Sequence, residues 1–324
     1  MKNIVFTIVF ALVSFSGYSF SLSAQESANT IAVEEIIVTA RKRSESIQDV
    51  PVAVSALSVE QVERGNIQRV QDLEKLVPNV EISDMAFAGG AMSAGIRGLT
   101  FDDLEKTFET TVGVVIDGVF AASNSGVDLD LFDLESVEIL RGPQGTLFGR
   151  NTIGGVIQIN RTRPTRDFGF KVKLDLEEDN TTDTKMIFNA PLGDNGGIKL
   201  SLRKLESDSF MFNVTRDERE KARDLESASV ALDFDLTENV NVQFIFDNYN
   251  DNSQHNLLSI TKFYTNKIGA NQGVFDLLGQ GAGTSGDLSA ANDYKTVYSA
   301  APFYSGIQGN NMTFKVEWEL DNHT

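Results

Sequence analysis

Two apolar runs joined by a glycine-dense turn, at residues 131–159, constrain the fold of this chain more than any other feature. The run SVEIL has the two-residue alternation of a half-buried strand, and GGVIQI resumes an extended run after the turn. Within the connecting RGPQG, Pro143 fixes one φ angle and Gly145 can adopt a positive one. The pattern therefore predicts two strands connected by a tight turn.

Three further segments precede this stretch: EEIIVTARKR at residues 34–43, IRG at 96–98 and VGVVIDGVF at 112–120. In this order the four segments resemble the plug domain of TonB-dependent outer-membrane receptors of the siderophore type, over roughly residues 34–165. The resemblance implies a mainly β fold. An α+β plug domain would be followed by the first strands of an antiparallel transmembrane β-barrel. That barrel would be incomplete, because only about six strands fit in the rest of the chain.

From about Phe168 the sequence changes to regular two-residue alternation. In GFKVKLDLEE, Val172, Leu174 and Leu176 fall on one face and charged residues on the other. The same alternation predicts about six strands, at residues 168–177, 184–192, 197–207, 227–236, 240–250 and 312–320. Each is about as long as the 9 to 11 residues of a tilted membrane-spanning strand. A secreted soluble β-sandwich, such as an adhesin, would show the same alternation and is the alternative.

The links between these candidate strands favour the barrel. Short turns alternate with long links near residues 207–226 and 251–311. Membrane barrels have tight turns on the periplasmic side and long loops outside, whereas a sandwich has no reason to sort loops in this way. Since six strands cannot enclose a plug, we expect the chain to be the N-terminal part of a longer receptor.

The first residues have the pattern of an export signal. Lys2 supplies a positive charge, residues 4–13 are apolar, and small residues follow. The apolar run is too short for a membrane-spanning helix, which needs about 20 residues. We therefore expect a Sec signal peptide at residues 1–24, a periplasmic tail with a TonB box at 25–47, the plug domain at 48–165 and a partial outer-membrane barrel at 166–324.

Composition excludes several classes of function. The net charge of -18 argues against a nucleic-acid partner, because phosphate contacts need clustered Lys and Arg. The absence of cysteine and the presence of only two histidines predict no metal site. No nucleophile elbow, zinc-protease motif or P-loop is present, so we expect neither an enzyme nor a cofactor.

The resemblance implies that EIIVTA is the TonB box, the peptide that TonB, energised by ExbB and ExbD, would grip. Its residues are Glu35, Ile36, Ile37, Val38, Thr39 and Ala40. A β-branched segment with a free edge can add to a partner's sheet through main-chain hydrogen bonds, which suits this role. The alternative is that the segment is the first strand of the plug's own sheet.

Three arginines are candidates for locking the plug to carboxylates of the barrel wall, namely Arg97, Arg141 and Arg150. Arginine can form bidentate pairs with carboxylates. Glu138, together with Glu135, is a candidate local partner. The alternative is that these arginines only satisfy carbonyl groups of turns.

Two local patterns predict details of the plug. Ser58 is placed to cap a helix that begins VEQVER, and Asp117-Gly118 predicts a type I′ hairpin turn. A second helix is plausible at residues 70–76.

The resemblance further implies energised uptake of a chelated ligand, most commonly a ferric siderophore, across the outer membrane of a Gram-negative bacterium. Cobalamin, a nickel chelate and an oligosaccharide remain open. Aromatic residues of the link 251–311 could face the ligand: Tyr264, Tyr294, Tyr298 and Tyr304. For Tyr249 and Trp318 we expect a place in an aromatic girdle in contact with lipid.

Overall fold

A computed structural model describes residues 37–39, 45–65, 67, 69–84, 92–100, 109–121, 131–213, 215–253, 296–297 and 306–319. The predicted signal peptide lies outside these ranges. So do Glu35, Ile36 and Ala40 of the predicted TonB box, and the four tyrosines expected to face a ligand, Tyr264, Tyr294, Tyr298 and Tyr304.

The first described elements are short. Strand β1 (Ile37–Val38) pairs antiparallel with β2 (Glu45–Ser46). Strand β3 (Ala53–Ser58) leads directly into helix α1 (Val59–Arg64). The predicted cap is confirmed, because the Ser58 hydroxyl accepts the Gln61 N–H and the Gln61 side chain accepts the Ser58 N–H in return. The second predicted helix is a 3₁₀ helix, Val70–Lys75.

Six more strands complete the first half of the chain. They are β4 (Val80–Asp84), β5 (Met92–Ile96), β6 (Val112–Ile116), β7 (Val119–Phe120), β8 (Leu134–Arg141) and β9 (Gly155–Arg161). β4 and β5 form a separate antiparallel pair, and the others join β3 in a five-stranded mixed sheet of order β3-β8-β9-β6-β7. Within this mixed sheet only the β6 and β9 pair is parallel.

Both faces of the mixed sheet are covered. One face packs on α1, the 3₁₀ helix and the β4–β5 pair through a cluster that includes Ile139 and Ile157. The other face carries a smaller apolar cluster, in which Leu140 and Val156 contact Val38 of β1. The N-terminal segment is therefore part of the packing of the sheet.

The turn between β8 and β9 differs from its prediction in one respect. Gly145 begins a single helical turn, α2 (Gly145–Phe148), and the positive φ angles are at Gly142 (110°) and Gly149 (84°) instead. The hairpin between β6 and β7 has φ angles of 49° at Asp117 and 83° at Gly118, which agree with the predicted type I′ turn.

The second half forms one long antiparallel sheet. Its strands, in order, are β10 (Gly169–Glu177), β11 (Thr181–Pro191), β12 (Gly196–Asn213), β13 (Glu218–Thr237), β14 (Val240–Asp251) and β16 (Ile307–Trp318). A short strand, β15 (Thr296–Val297), runs parallel to the end of β12. All six predicted strands are present. The predicted long link at residues 207–226 is wrong, because β12 and β13 continue through it as a paired hairpin.

The two faces of the long sheet differ in polarity. Side chains exposed by more than half alternate along one face, among them Phe170, Leu174, Phe314 and Trp318. The opposite face carries buried charged residues, including Asp183, Lys185, Lys199 and Arg203. The alternation predicted from the sequence is therefore confirmed. None of the helices in the described part of the chain combines the length and apolar character that a membrane-spanning helix requires.

Candidate functional site

The predicted TonB box is docked on the mixed sheet. Thr39 donates its backbone N–H and its hydroxyl to the same Glu138 oxygen, at 2.7 and 2.8 Å. The Gln158 amide donates to the Thr39 hydroxyl at 2.6 Å. Val38 beside it is 0% exposed in the apolar cluster of that face. The Asn160 amide of β9 also donates to the Thr39 hydroxyl, at 3.4 Å, so one buried side chain and four hydrogen bonds attach residues 37–39 to the sheet.

The strand pairing of residues 37–38 bears on the alternative that this segment is the first strand of the plug's own sheet. β1 bonds to β2 and does not add to the edge of the mixed sheet. It lies across the face of that sheet, where neighbouring strands place Glu138 and Gln158 side by side. The segment is therefore held by a few side-chain contacts, and its main chain makes strand pairs only with residues 45–46 in the described structure.

Glu138 is the unusual residue of this contact. It is 1% exposed, and its second oxygen has no hydrogen-bond partner within the described residues. Burial raises the pKa of the Glu138 carboxyl, and the two hydrogen bonds from Thr39 oppose that shift only in part. Glu138 forms no ion pair with Arg97, Arg141 or Arg150 in the described structure, so the structure does not join it to the predicted lock.

Arg97 and Arg141 lie close together at the ends of β5 and β8. A Cβ built on Gly142 would be 3.5 Å from a terminal nitrogen of Arg97, which places that guanidinium beside the residue that follows Arg141. The Nε atom of Arg141 is buried without a hydrogen-bond partner among the described residues. Neither Arg97 nor Arg141 forms an ion pair with a carboxylate of the described residues. Arg150 differs, since it pairs with Glu109 at 2.6 Å on the surface.

Another arginine, which the sequence analysis missed, joins the mixed sheet to the long sheet. Arg161, at the end of β9, donates from Nε to Asp117 at 2.7 Å and from both terminal nitrogens to Asp247 of β14, at 2.8 and 3.2 Å. Its backbone N–H also donates to Asp117. Burial would lower the pKa of Arg161, but the hydrogen bonds and charges of Asp247 and Asp117 outweigh it and raise that pKa.

Further ion pairs join the long sheet to the link that follows β9 and to the turn that precedes β8. Arg163 pairs with Glu317 at 2.6 Å, Arg166 pairs with Asp235, and the Lys199 ammonium contacts Asp133 at 2.6 Å. The first two pairs are about half exposed, whereas the Lys199 side chain is 3% exposed. A sequence signal for the arginine pairs existed, because RTRPTR at residues 161–166 concentrates three arginines where the two sequence patterns meet.

A cavity of about 590 Å³ lies between the β6–β7 hairpin and the inner face of the long sheet. Its lining combines aromatic and charged side chains, including Phe120, Arg161, Arg203, Asp247 and Tyr249. Tyr249 therefore faces inward, and the girdle position expected for it is wrong. Trp318, which is 68% exposed on the outer face, has the expected exposure.

This arrangement has counterparts among known proteins. Residues 46–156 match the family model described as the TonB-dependent receptor plug domain. Over these residues the chain therefore has the sequence pattern of a TonB-dependent receptor plug domain. The match runs from the last residue of β2 into β9 and includes the turn that carries Arg141 and Arg150.

Curated relatives extend the similarity beyond the plug domain. The chain is 25% identical over 214 residues to the ferrioxamine B receptor of Salmonella typhimurium, which covers 64% of this chain and 30% of that protein. It is 24% identical over 180 residues to the vitamin B12 transporter BtuB of Vibrio vulnificus, which covers 56% of this chain and 29% of the transporter. The matched region thus spans less than a third of the length of either relative.

Solved structures share the fold. The ferric yersiniabactin uptake receptor FyuA from Yersinia pestis has a TM-score of 0.66 and 16% identity, over 83% of this chain and 39% of that one. Pseudomonas aeruginosa FpvA, bound to a heterologous pyoverdine, has a TM-score of 0.63 and 14% identity, over 88% of this chain and 34% of that one. The described residues therefore have the fold of an α+β plug domain followed by a barrel-like antiparallel sheet that is not closed within them, as the sequence predicts.

Proposed function

We propose that this receptor takes up a chelated ligand across the outer membrane and that TonB drives the uptake by binding residues 35–40. The observation that carries the proposal is the docking of residues 37–39 on the plug domain by four hydrogen bonds that involve side chains of the mixed sheet. Release of these contacts breaks no strand pair of the mixed sheet, because β1 is not one of its strands. Once the segment is released, its β-branched residues can pair with a partner strand.

The exposed apolar face of the long sheet supports a location of this sheet in the membrane. Its outer face exposes large apolar side chains in alternation, and this face has no cover in the described part of the chain. A soluble sandwich would bury such a face against a second sheet. A lipid-facing surface accounts for the exposure, so we propose that the long sheet is part of an outer-membrane barrel and that residues 1–24 direct export.

The proposed ligand is a ferric siderophore. Two of the similar proteins described above are named for such ligands, the ferrioxamine B receptor and the ferric yersiniabactin uptake receptor. A cobalamin is the second candidate, because the similarity to a vitamin B12 transporter has nearly the same identity. Growth under iron limitation and retention of each radiolabelled chelate by receptor-bearing cells would separate the two candidates.

Arg97 and Arg141 fit the role of plug-to-wall lock residues better than Arg150. Neither guanidinium has a carboxylate partner among the described residues, and one Nε is buried without a hydrogen bond. Arginine forms bidentate pairs with carboxylates, and such a pair can also satisfy the buried Nε of Arg141. We therefore propose that carboxylates outside the described residues complete these two contacts, whereas Arg150 is occupied by Glu109 on the surface.

The TonB-box proposal is tested by deletion of residues 36–39 in the receptor. Energised uptake should be lost while binding of the ligand to cells is retained, because the deletion removes the grip of TonB and not the ligand site. A deletion of equal length at residues 27–30 is the matched control and should preserve uptake. Loss of binding together with uptake, or preserved uptake, would contradict the assignment of the box.

A further inference from the structure

One residue of the cavity between the plug domain and the long sheet bonds to both sides of it. Arg161 lines the cavity, and so do both of its carboxylate partners. Asp117 is in the β6–β7 turn, whereas Asp247 is on the inner face of β14. The arginine therefore links the two walls of the cavity. Its side chain is 18% exposed, so water screens this contact far less than a surface pair.

The contact has the features of a strong ion pair. Both terminal nitrogens of Arg161 bond to the two oxygens of Asp247, which is the bidentate geometry of charge-assisted pairs. The residue that follows, Thr162, accepts hydrogen bonds from the Lys199 ammonium at its carbonyl and hydroxyl oxygens. Both β12 and β14 thus hold the end of β9.

The ion pairs of Arg163 with Glu317 and of Arg166 with Asp235 are weaker, because they are more exposed to water. Arg163 and Glu317 are 49% and 51% exposed, and Arg166 and Asp235 are 47% and 43% exposed. Exposed pairs contribute about 0 to 1 kcal/mol. Arg161 is consequently the arginine whose release should most change the separation of plug domain and wall.

We propose that Arg161 is a positioning residue that holds the plug domain against β14 and that its release from Asp247 widens this cavity. This inference rests on the proposed function, because a wider cavity matters for uptake only if the ligand passes between the plug domain and the long sheet. Charged side chains of both signs line that path, among them Lys185, Arg203 and Asp133, together with several serines.

Cysteine labelling of the receptor tests the proposal, because the chain has no native cysteine. Ala231, 4% exposed on the inner face of β13 and paired with Lys199, is replaced by cysteine as the probe. Asp247→Asn should raise the rate at which a small maleimide labels this probe about tenfold, since it removes one charged partner of Arg161. Glu317→Gln, which breaks an exposed pair, is the control and should change the rate less than about twofold.

A second probe separates widening from unfolding. Val114, 2% exposed in the core of the mixed sheet, is replaced by cysteine and should stay protected in Asp247→Asn. Arg161→Lys keeps the positive charge but loses the bidentate guanidinium. In this variant the maleimide should label the Ala231→Cys probe at an intermediate rate. Equal labelling in Asp247→Asn and Glu317→Gln would overturn the proposal, and so would exposure of the Val114→Cys probe. The assay needs neither ligand nor TonB, so its failure is distinct from failure of the proposed function.

Discussion

Thr39 donates two hydrogen bonds to one oxygen of Glu138, a carboxylate that is otherwise enclosed by the mixed sheet. The second oxygen of Glu138 is buried and has no hydrogen-bond partner among the described residues. Departure of Thr39 would remove both donors that the structure gives to this carboxylate. Glu138 of β8 therefore accepts two of the four hydrogen bonds that hold Thr39 of the predicted TonB box.

Glu138→Ala should loosen residues 37–39. The variant removes two hydrogen bonds to a charged group, each of which typically contributes about 1.5 to 3 kcal/mol. Amide hydrogen exchange at Thr39 should become faster by at least about tenfold in the isolated receptor. Glu135→Ala, on an exposed residue of the same strand, is the control and should leave exchange at Thr39 unchanged. Unaltered protection in Glu138→Ala would show that other contacts hold the segment.

The raised pKa of Glu138 gives stability a defined dependence on pH. Burial favours the protonated carboxyl in the folded protein, so ionisation of Glu138 destabilises the fold as pH rises above the ordinary glutamate value of 4.5. Glu138→Gln is neutral at every pH and lacks this effect. As pH falls from neutrality towards 4.5, the melting temperature of the wild-type receptor should therefore rise relative to that of Glu138→Gln. A constant difference between the two proteins would mean that Glu138 titrates normally.

Local patterns in the sequence predicted most of the fold because each has a direct physical cause. Ser58 caps its helix because its hydroxyl is placed to accept the free N–H of Gln61. Asp117-Gly118 forms its hairpin because both residues tolerate positive φ. The six long strands follow from polar and apolar alternation alone. The one large error, the expected loop at 207–226, concerns a hairpin that keeps its pairing where the alternation of its side chains fades.

The contacts between elements could not be predicted in the same way. Arg161 is positioned by Asp117 and Asp247, which are 44 and 86 residues away, and no local pattern encodes those distances. Glu138 was predicted to pair with an arginine, yet its strand directs it to the sheet face that Thr39 covers. Position in a strand assigns a residue to one of two faces, but which face meets which partner depends on the tertiary packing.

Gly155 is required by the close approach of β9 to β8. Its φ is 152°, and an added Cβ would lie 2.2 Å from the Leu140 carbonyl oxygen and 2.7 Å from the Ile96 Cδ1 atom. Gly155→Ala should destabilise the plug domain by about 3 kcal/mol or prevent its folding. Gly145→Ala is the matched control, since a Cβ there meets nothing within 4 Å. Resistance of the plug domain to protease should fall in the first variant and persist in the second, and equal resistance would contradict the steric argument.

Removal of one partner of the buried Lys199–Asp133 ion pair should destabilise the protein more than removal of both partners. Asp133→Ala would leave the Lys199 ammonium enclosed with only the oxygens of Thr162, and loss of one partner of a buried pair costs about 3 to 5 kcal/mol. The double variant Asp133→Ala, Lys199→Met removes the uncompensated charge as well. Its unfolding free energy in detergent should recover by at least about half of that loss, because the methionine side chain can remain buried. A double variant that is no more stable than the single one would mean that Asp133 acts through Ser201 and Thr162, which also donate to its carboxylate, and not through the charge of Lys199.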